Sequence, residues 1–417
     1  MPATPAPTFP APPAAPAPPS LAARPSLPAA GTPRASAPPQ AATPMLHLDT
    51  EVVRERYVEL AAVLPGVRLH YAVKANPSHP VLSLLAAHGA AWDVASPGEI
   101  ALVLQAGGLP EDMSYGNTVK RAADVAWAHG LGVRRFSVDS PDELDKVARH
   151  APGATVMVRL TTSGAGADWG LAGGKFGCSE DEAGALLALA VGLGHPVGIA
   201  FHVGSQQRDP QAWRAPLAAA GRLRAALRAR GADLSVVNLG GGFPADLLGD
   251  TPGLPAYGAA IARALEELVG TTLGQGPGSG PDGSAGPVVM AEPGRALVAD
   301  AGVLESEVLL VAEREGVRWV YLDIGLFGGL AEALDEGVKY RLEVTRDGRR
   351  LRGPTREVVL AGPTCDSADV LYRHHRYRLP ADLRPGDRVL LGAAGAYTTA
   401  YASVGFNGIA PLRTTYR

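Results

Sequence analysis

A lysine closes a short apolar run in Tyr71-Ala72-Val73-Lys74-Ala75-Asn76. An amine held behind an apolar strand loses hydration when charged, so its pKa is expected to fall, and Lys74 becomes a candidate nucleophile for a Schiff base with an aldehyde. Asp93 lies toward the end of a second run, and His202 lies near the end of another in Phe201-His202-Val203-Gly204-Ser205. Two later runs end in Gly240-Gly241-Gly242 and in Glu292-Pro293-Gly294-Arg295. Consecutive glycines let a backbone approach a phosphate and aim N–H groups at it, and Arg295 adds positive charge. Each feature alone has a plainer reading: a solvated lysine, a satisfied structural His or Asp, a tight turn. Together they suggest a phosphorylated cofactor whose aldehyde meets Lys74.

These groups need elements that bring them to one place. Eight β-rich runs, Leu69–Asn76, Ala90–Ser96, Met113–Val119, Arg134–Ser140, Ala154–Thr161, Pro196–Ser205, Leu234–Phe243 and Val288–Gly294, alternate with alanine-leucine helical stretches. That alternation predicts βα units and a parallel sheet, and eight of them match the count of a (β/α)8 barrel, whose site lies at the C-terminal ends of the strands. Periodicity alone also fits a doubly wound sheet. After Arg295 the rhythm changes to strands over Gly302–Arg314, Arg318–Ile324, Arg356–Ala361 and Arg388–Leu391, joined by turns such as Arg346-Asp347-Gly348. The expected α/β architecture is therefore a barrel over 43–299 and a C-terminal, mainly β domain over 300–417. Residues 1–42, almost wholly Pro, Ala, Ser and Thr, read as a disordered tail, with a true start near Met45 as an alternative. The Gly/Pro-rich stretch 274–286 reads as a surface insertion.

Composition narrows the function. The 417 residues are 46% apolar and 19% charged, enough for a globular core. A net charge of −3 with dispersed lysines and arginines speaks against nucleic-acid or anionic-membrane binding. No apolar run reaches the ~18 residues that cross a bilayer. Prolines interrupt every candidate signal segment near the start, and the two cysteines, Cys178 and Cys365, fit neither a disulfide framework nor a cysteine-rich metal site, so the cytoplasm and no metal are expected.

Tyr-Ala-Val-Lys-Ala-Asn-Pro at 71–77, His-Val-Gly-Ser-Gln at 202–206, Asn-Leu-Gly-Gly-Gly-Phe-Pro at 238–244, Glu-Pro-Gly-Arg at 292–295, Gly-Pro-Thr-Cys-Asp-Ser-Ala-Asp at 362–369 and Gly-Ala-Tyr-Thr-Thr at 395–399 run in collinear order. Together they resemble the alanine-racemase-fold decarboxylases that use pyridoxal phosphate, and within these the group acting on ornithine. The resemblance covers roughly residue 43 to the end, without the tail or the 274–286 insertion. It implies decarboxylation of L-ornithine to putrescine, a step of polyamine synthesis. Lys74 is implied as the lysine that holds the cofactor aldehyde, Glu292 as the partner of the pyridine nitrogen, and His202 as the residue stacked on the ring. Ser205, Gly240, Gly241, Gly242, Arg295 and Tyr397 are implied as the phosphate cradle. Asp93 and Arg159 would lie near the cofactor face, though Arg159 equally suits a structural pairing with barrel carboxylates. Cys365 is implied as a proton donor to the α-carbon, Asp366 and Asp335 as partners of the distal ammonium, and Phe406 as a pocket wall. The resemblance further implies a head-to-tail homodimer in which the Cys-Asp loop and the Gly-Ala-Tyr segment of one subunit complete the other's site.

Alternatives differ by a few residues. Diaminopimelate decarboxylases share the Lys, His, Gly and Glu motifs but typically show Cys-Glu-Ser where this chain has Cys365-Asp366-Ser367. Lysine differs from ornithine by one methylene, worth only ~1–3 kcal/mol in a pocket, so dual activity is a further reading. A non-catalytic homologue would be expected to lose Lys74, Glu292 or Cys365, all present. A racemase has no use for the Cys-Asp loop.

Overall fold

The computed structural model describes residues 43–170, 173–274 and 286–417. The proposed tail 1–42, and all but the ends of the 274–286 insertion, lie outside them. Eight parallel strands close into a barrel: Arg68–Ala72, Ala91–Val94, Met113–Tyr115, Arg135–Val138, Thr155–Arg159, Val197–Ala200, Leu234–Asn238 and Val288–Ala291. Spatial order follows chain order, and the ring closes where Met290 and Ala291 face Arg68 and Leu69. Met157, Ala200, Val236 and Met290 form one buried cluster of their own, which is how a barrel stays a packed core rather than a pore. Gly198 belongs to this crowding, since a Cβ there would sit 2.9 Å from the Val236 carbonyl oxygen.

Helices begin almost at once after several strands, because Ser supplies the N-cap and Pro the first helical residue. Ser96 accepts from Glu99 N before Pro97–Gln105, and Ser140 from Glu143 N before Pro141–His150. Ser179 and Glu182 form a reciprocal capping box before Glu180–Gly192. Among the described residues no helix is long and apolar enough to cross a membrane.

All eight expected runs are shorter than the sequence suggests, and at two of them the difference builds the site. The first strand stops at Ala72 and Val73–Ala75 turns as a 3-10 helix, because Asn76 ties the chain elsewhere: its Nδ2 donates to Gly395 O at 2.9 Å and its Oδ1 accepts from Ser78 N. The sixth stops at Ala200; Gly204, at φ +96°, then turns the chain so that Ser205–Gln207 pairs with Ala167–Trp169 in a separate ribbon.

The second domain is a mostly antiparallel sheet, in the order Arg349–Arg350, Arg341–Arg346, Arg388–Gly392, Gly302–Arg314, Val317–Leu322, Thr355–Ala361 and Val370–Pro380. Only the Val317–Leu322 and Thr355–Ala361 neighbours along this path run parallel. Residues 45–48, counted with the barrel on sequence, instead pair with Gly302–Glu305 and with Arg413–Tyr416 of this sheet. The two domains meet at the Lys74 turn, where Tyr397 N donates to Ala75 O at 2.8 Å.

Candidate active site

The C-terminal ends of the barrel strands open into a cavity of about 390 Å³. Lys74, Asp93, Arg159, His202, Ser205, Gly241, Gly242, Glu292, Arg295 and Tyr397 all line it. Gly240 stands one residue behind, at φ +64°, with room for no side chain: a Cβ would lie 1.9 Å from Phe201 O. Gly242, at φ +111°, would bring a Cβ within 2.6 Å of Gly204 O. The glycine turn is therefore wedged between the ends of the sixth and eighth strands, with its backbone at the cavity wall.

Lys74 Nζ donates to Asp93 Oδ2 at 2.8 Å. Burial alone would lower the amine's pKa, as expected from sequence; the charge of Asp93, with smaller contributions from Tyr397 and Glu292, reverses this and leaves it raised. Asp93 is buried, and its Oδ1 has no partner among the described residues. Glu292 Oε1 accepts from Asn238 Nδ2 at 2.5 Å, while Asn238 Oδ1 accepts from Gly240 N, so one asparagine fixes both the carboxyl and the glycine turn. Burial, aided by repulsion from Asp93, lifts the Glu292 carboxyl to about 7 against the pull of Lys74, Asn238 and Arg159. Burial and the charges of Arg159 and Lys74 push His202 down to about 3, which keeps its imidazole neutral at physiological pH.

Arg295 is buried and held on two sides: Nη2 donates to Glu332 Oε1 at 2.5 Å and to Ser205 Oγ at 3.1 Å. Its guanidinium also lies 5.0 Å from the centre of the Tyr397 ring. The Gly-Ala-Tyr segment thus serves the cavity of its own chain, which corrects the expectation that it completes a partner's. Arg159 makes no ion pair among the described residues; its guanidinium sits over Phe176 at 5.0 Å, and its charge acts on Glu292 from a distance. Asn238 and Glu332 were not singled out on sequence. Asn238 stood in a quoted motif two residues before Gly240, whereas Glu332, a single acid among alanines, gave no signal.

The remaining candidates lie elsewhere. Cys365 and Asp366 are exposed, with Cys365 N donating to Asn407 Oδ1 at 3.2 Å. Asp369 pins their loop, accepting from Leu326 N, Thr364 N and Thr364 Oγ1. Phe406 is 36% exposed and packs on Phe327, and Asp335, at φ +51°, is exposed on the turn Ala331–Glu336. None of these four lines the cavity of its own chain.

The cavity suits a phosphorylated aldehyde cofactor on its own features. Among the described residues Arg295 Nη1 and His202 Nδ1 are buried polar atoms without partners, the glycine turn brings backbone to the wall, and one lysine amine reaches the cavity from the turn after the first strand. Among the described residues no group of three or more His, Cys, Asp or Glu could hold a metal ion.

Residues 50–299 match the family described as "Pyridoxal-dependent decarboxylase, pyridoxal binding domain". The chain is 35% identical to the lysine/ornithine decarboxylase of Selenomonas ruminantium, over 88% of this chain and 87% of that one. It superposes on the lysine/ornithine decarboxylase of Vibrio vulnificus complexed with putrescine with a TM-score of 0.77, at 33% identity over 91% of this chain and 95% of that one. It likewise matches the arginine decarboxylase of Paramecium bursaria Chlorella virus with a TM-score of 0.78, at 28% identity over 91% and 97%.

Proposed function

The chain belongs to the pyridoxal-dependent decarboxylases, and on that footing we propose that its substrate is L-ornithine, released as CO2 and putrescine, with L-lysine accepted more slowly. The product would feed polyamine synthesis, in the cytoplasm. Bound, pyridoxal phosphate supplies the sink for the electron pair set free when the bond from Cα to the carboxylate breaks. Lys74 would hold the cofactor at its aldehyde. Arg295, Ser205, Tyr397 and the turn Gly240-Gly241-Gly242 would hold its phosphate. His202, neutral at physiological pH, would lie against the ring without adding charge, and Arg159 would stand at the cofactor face. Glu292, near 7, can hold or release a proton at its free carboxyl oxygen where it would meet the ring nitrogen, and Asn238 keeps that carboxyl from swinging away. Asp93 holds the Lys74 amine in its charged form whenever that amine is free of the cofactor.

The observation that carries the substrate reading is a division within one chain: the residues assigned to the cofactor line or back its cavity, while Cys365, Asp366, Asp335 and Phe406 stand exposed outside it. Tyr401, Val404 and Phe406, all exposed and apolar within six residues, suit a covered face. A second copy in a head-to-tail homodimer would bring Cys365 to the α-carbon as proton donor, Asp366 and Asp335 to the distal ammonium, and Phe406 to the pocket wall. Asp366 is the exposed acid of Gly362–Asp369, a segment with no base, which suits a cationic side-chain end and leaves a distal carboxylate unmatched. Mixing Lys74→Ala chains with Cys365→Ala chains, each inactive alone, tests this. Restored ornithine turnover is expected; mixtures as inactive as their parents would overturn the composite site.

A further inference from the structure

The phosphate cradle contains one group that no cradle for an anion needs: a carboxylate. Glu332 and Arg295 are each only 3% exposed and joined at 2.5 Å, and among the described residues each keeps one unpartnered polar atom, Oε2 and Nη1. Ser205 shares the Nη2 side of the guanidinium, and the Tyr397 ring lies 5.0 Å from its carbon. With Nη2 occupied by Glu332 and Ser205, the guanidinium cannot rotate about its plane, and Nη1 is the edge left to donate.

Glu332 is itself held from outside the cavity. It lies on the turn Ala331–Glu336, whose last residue, Glu336, accepts from three successive backbone N–H groups, Arg373 at 2.7 Å, His374 at 2.5 Å and His375 at 2.7 Å. Both Asp335 and Glu336 are in the left-handed region, at φ +51° and +56°, a strained arrangement that these three bonds hold in place. The turn that carries Asp335 is thus bolted to the second domain at one end and reaches the cofactor arginine at the other.

We infer that Glu332 is a positioning residue for cofactor binding, which clamps Nη2 of Arg295 so that Nη1 faces the cofactor phosphate, and so ties the grip on that phosphate to the turn bearing Asp335. The inference rests on the assignment of Arg295 to the phosphate in the proposed function above. It is a claim about reach more than charge. Glutamine keeps the reach and loses the charge; aspartate keeps the charge and withdraws the oxygen by one methylene.

The test is the dissociation constant of the purified dialysed protein for pyridoxal phosphate and for pyridoxal, which lacks the phosphate, read from cofactor absorbance. Glu332→Asp is expected to weaken pyridoxal phosphate by about tenfold, the size of a lost hydrogen bond to a charged group. Glu332→Gln should stay within about threefold of the parent, as an amide oxygen still accepts, and neither change should move pyridoxal affinity. Equal losses for both ligands, or Glu332→Asp binding pyridoxal phosphate better than Glu332→Gln, would overturn the inference. Arg295→Met separates the two layers of argument. If it spares pyridoxal phosphate affinity, the phosphate assignment falls and the inference with it; if it weakens that affinity while Glu332→Asp does not, only the inference falls.

Discussion

Replacing Asp93 by Asn removes the charge that governs Lys74 while leaving a side chain of the same shape. At 2.8 Å and an effective dielectric of about 20, the pair attracts by about 6 kcal/mol, or about 4 pKa units of the amine. Half of the Lys74 side chain, 51%, is open to the cavity, so solvent screening brings the expected shift to roughly 2 units. The amine then titrates at lower pH, the direction that burial favours. Competitive acylation across pH, with the peptide bearing Lys74 followed by mass spectrometry in the cofactor-free protein, reads that midpoint directly. A midpoint lowered by roughly 2 units in Asp93→Asn is expected. An unchanged midpoint, or one that rises, would refute the argument that this carboxylate and not burial sets the state of the lysine.

Substitutions at three further residues have outcomes set by the same geometry. Gly240→Ala places a Cβ 1.9 Å from Phe201 O at φ +64° and should cost about 3 kcal/mol or more, from overpacking and left-handed strain together, in a denaturant midpoint. Glu292→Gln should lower ornithine turnover by about a hundredfold while cofactor absorbance is retained. Because the Glu292 carboxyl is raised from 4.5 to about 7, the stability present below 4.5 is lost as pH rises through 7, so the Gln variant should gain on the parent at pH 8 in thermal melts. His202 has the opposite sign: it is depressed from 6.5 to about 3, so the stability it supplies above 6.5 is lost as pH falls toward 3. His202→Asn should flatten that acid limb in part only, since buried His70 is depressed to about 3 as well.

The barrel was legible because most strands carry their own evidence, a short run with β-branched residues, in several cases followed by a helix start such as Ser96-Pro97 or Ser140-Pro141. Strands without that evidence were missed. In Val370–Pro380 the stretch Arg373-His374-His375-Arg376 breaks the alternation of polar and apolar residues, and burial comes instead from Tyr372, Tyr377 and Leu379. Met45–Leu48 and Arg413–Tyr416 pair with each other from opposite ends of the chain, a contact that no local pattern announces. The same limit shaped the reading of the cavity. Motifs placed the residues along its wall, but the pKa of Lys74 turned on a carboxylate nineteen positions away, and the partner of Arg295 came from the other domain.

On the proposed function this cavity, completed by a second copy, decarboxylates a short diamino acid with a cationic end. CO2 release by the purified protein loaded with pyridoxal phosphate, from L-ornithine, L-lysine and meso-diaminopimelate at matched concentration, tests it most directly. Turnover of ornithine is expected, with a lysine rate lower by about tenfold, the discrimination one methylene allows, and none from meso-diaminopimelate. Turnover of meso-diaminopimelate alone, or of none of the three despite bound cofactor, would contradict it.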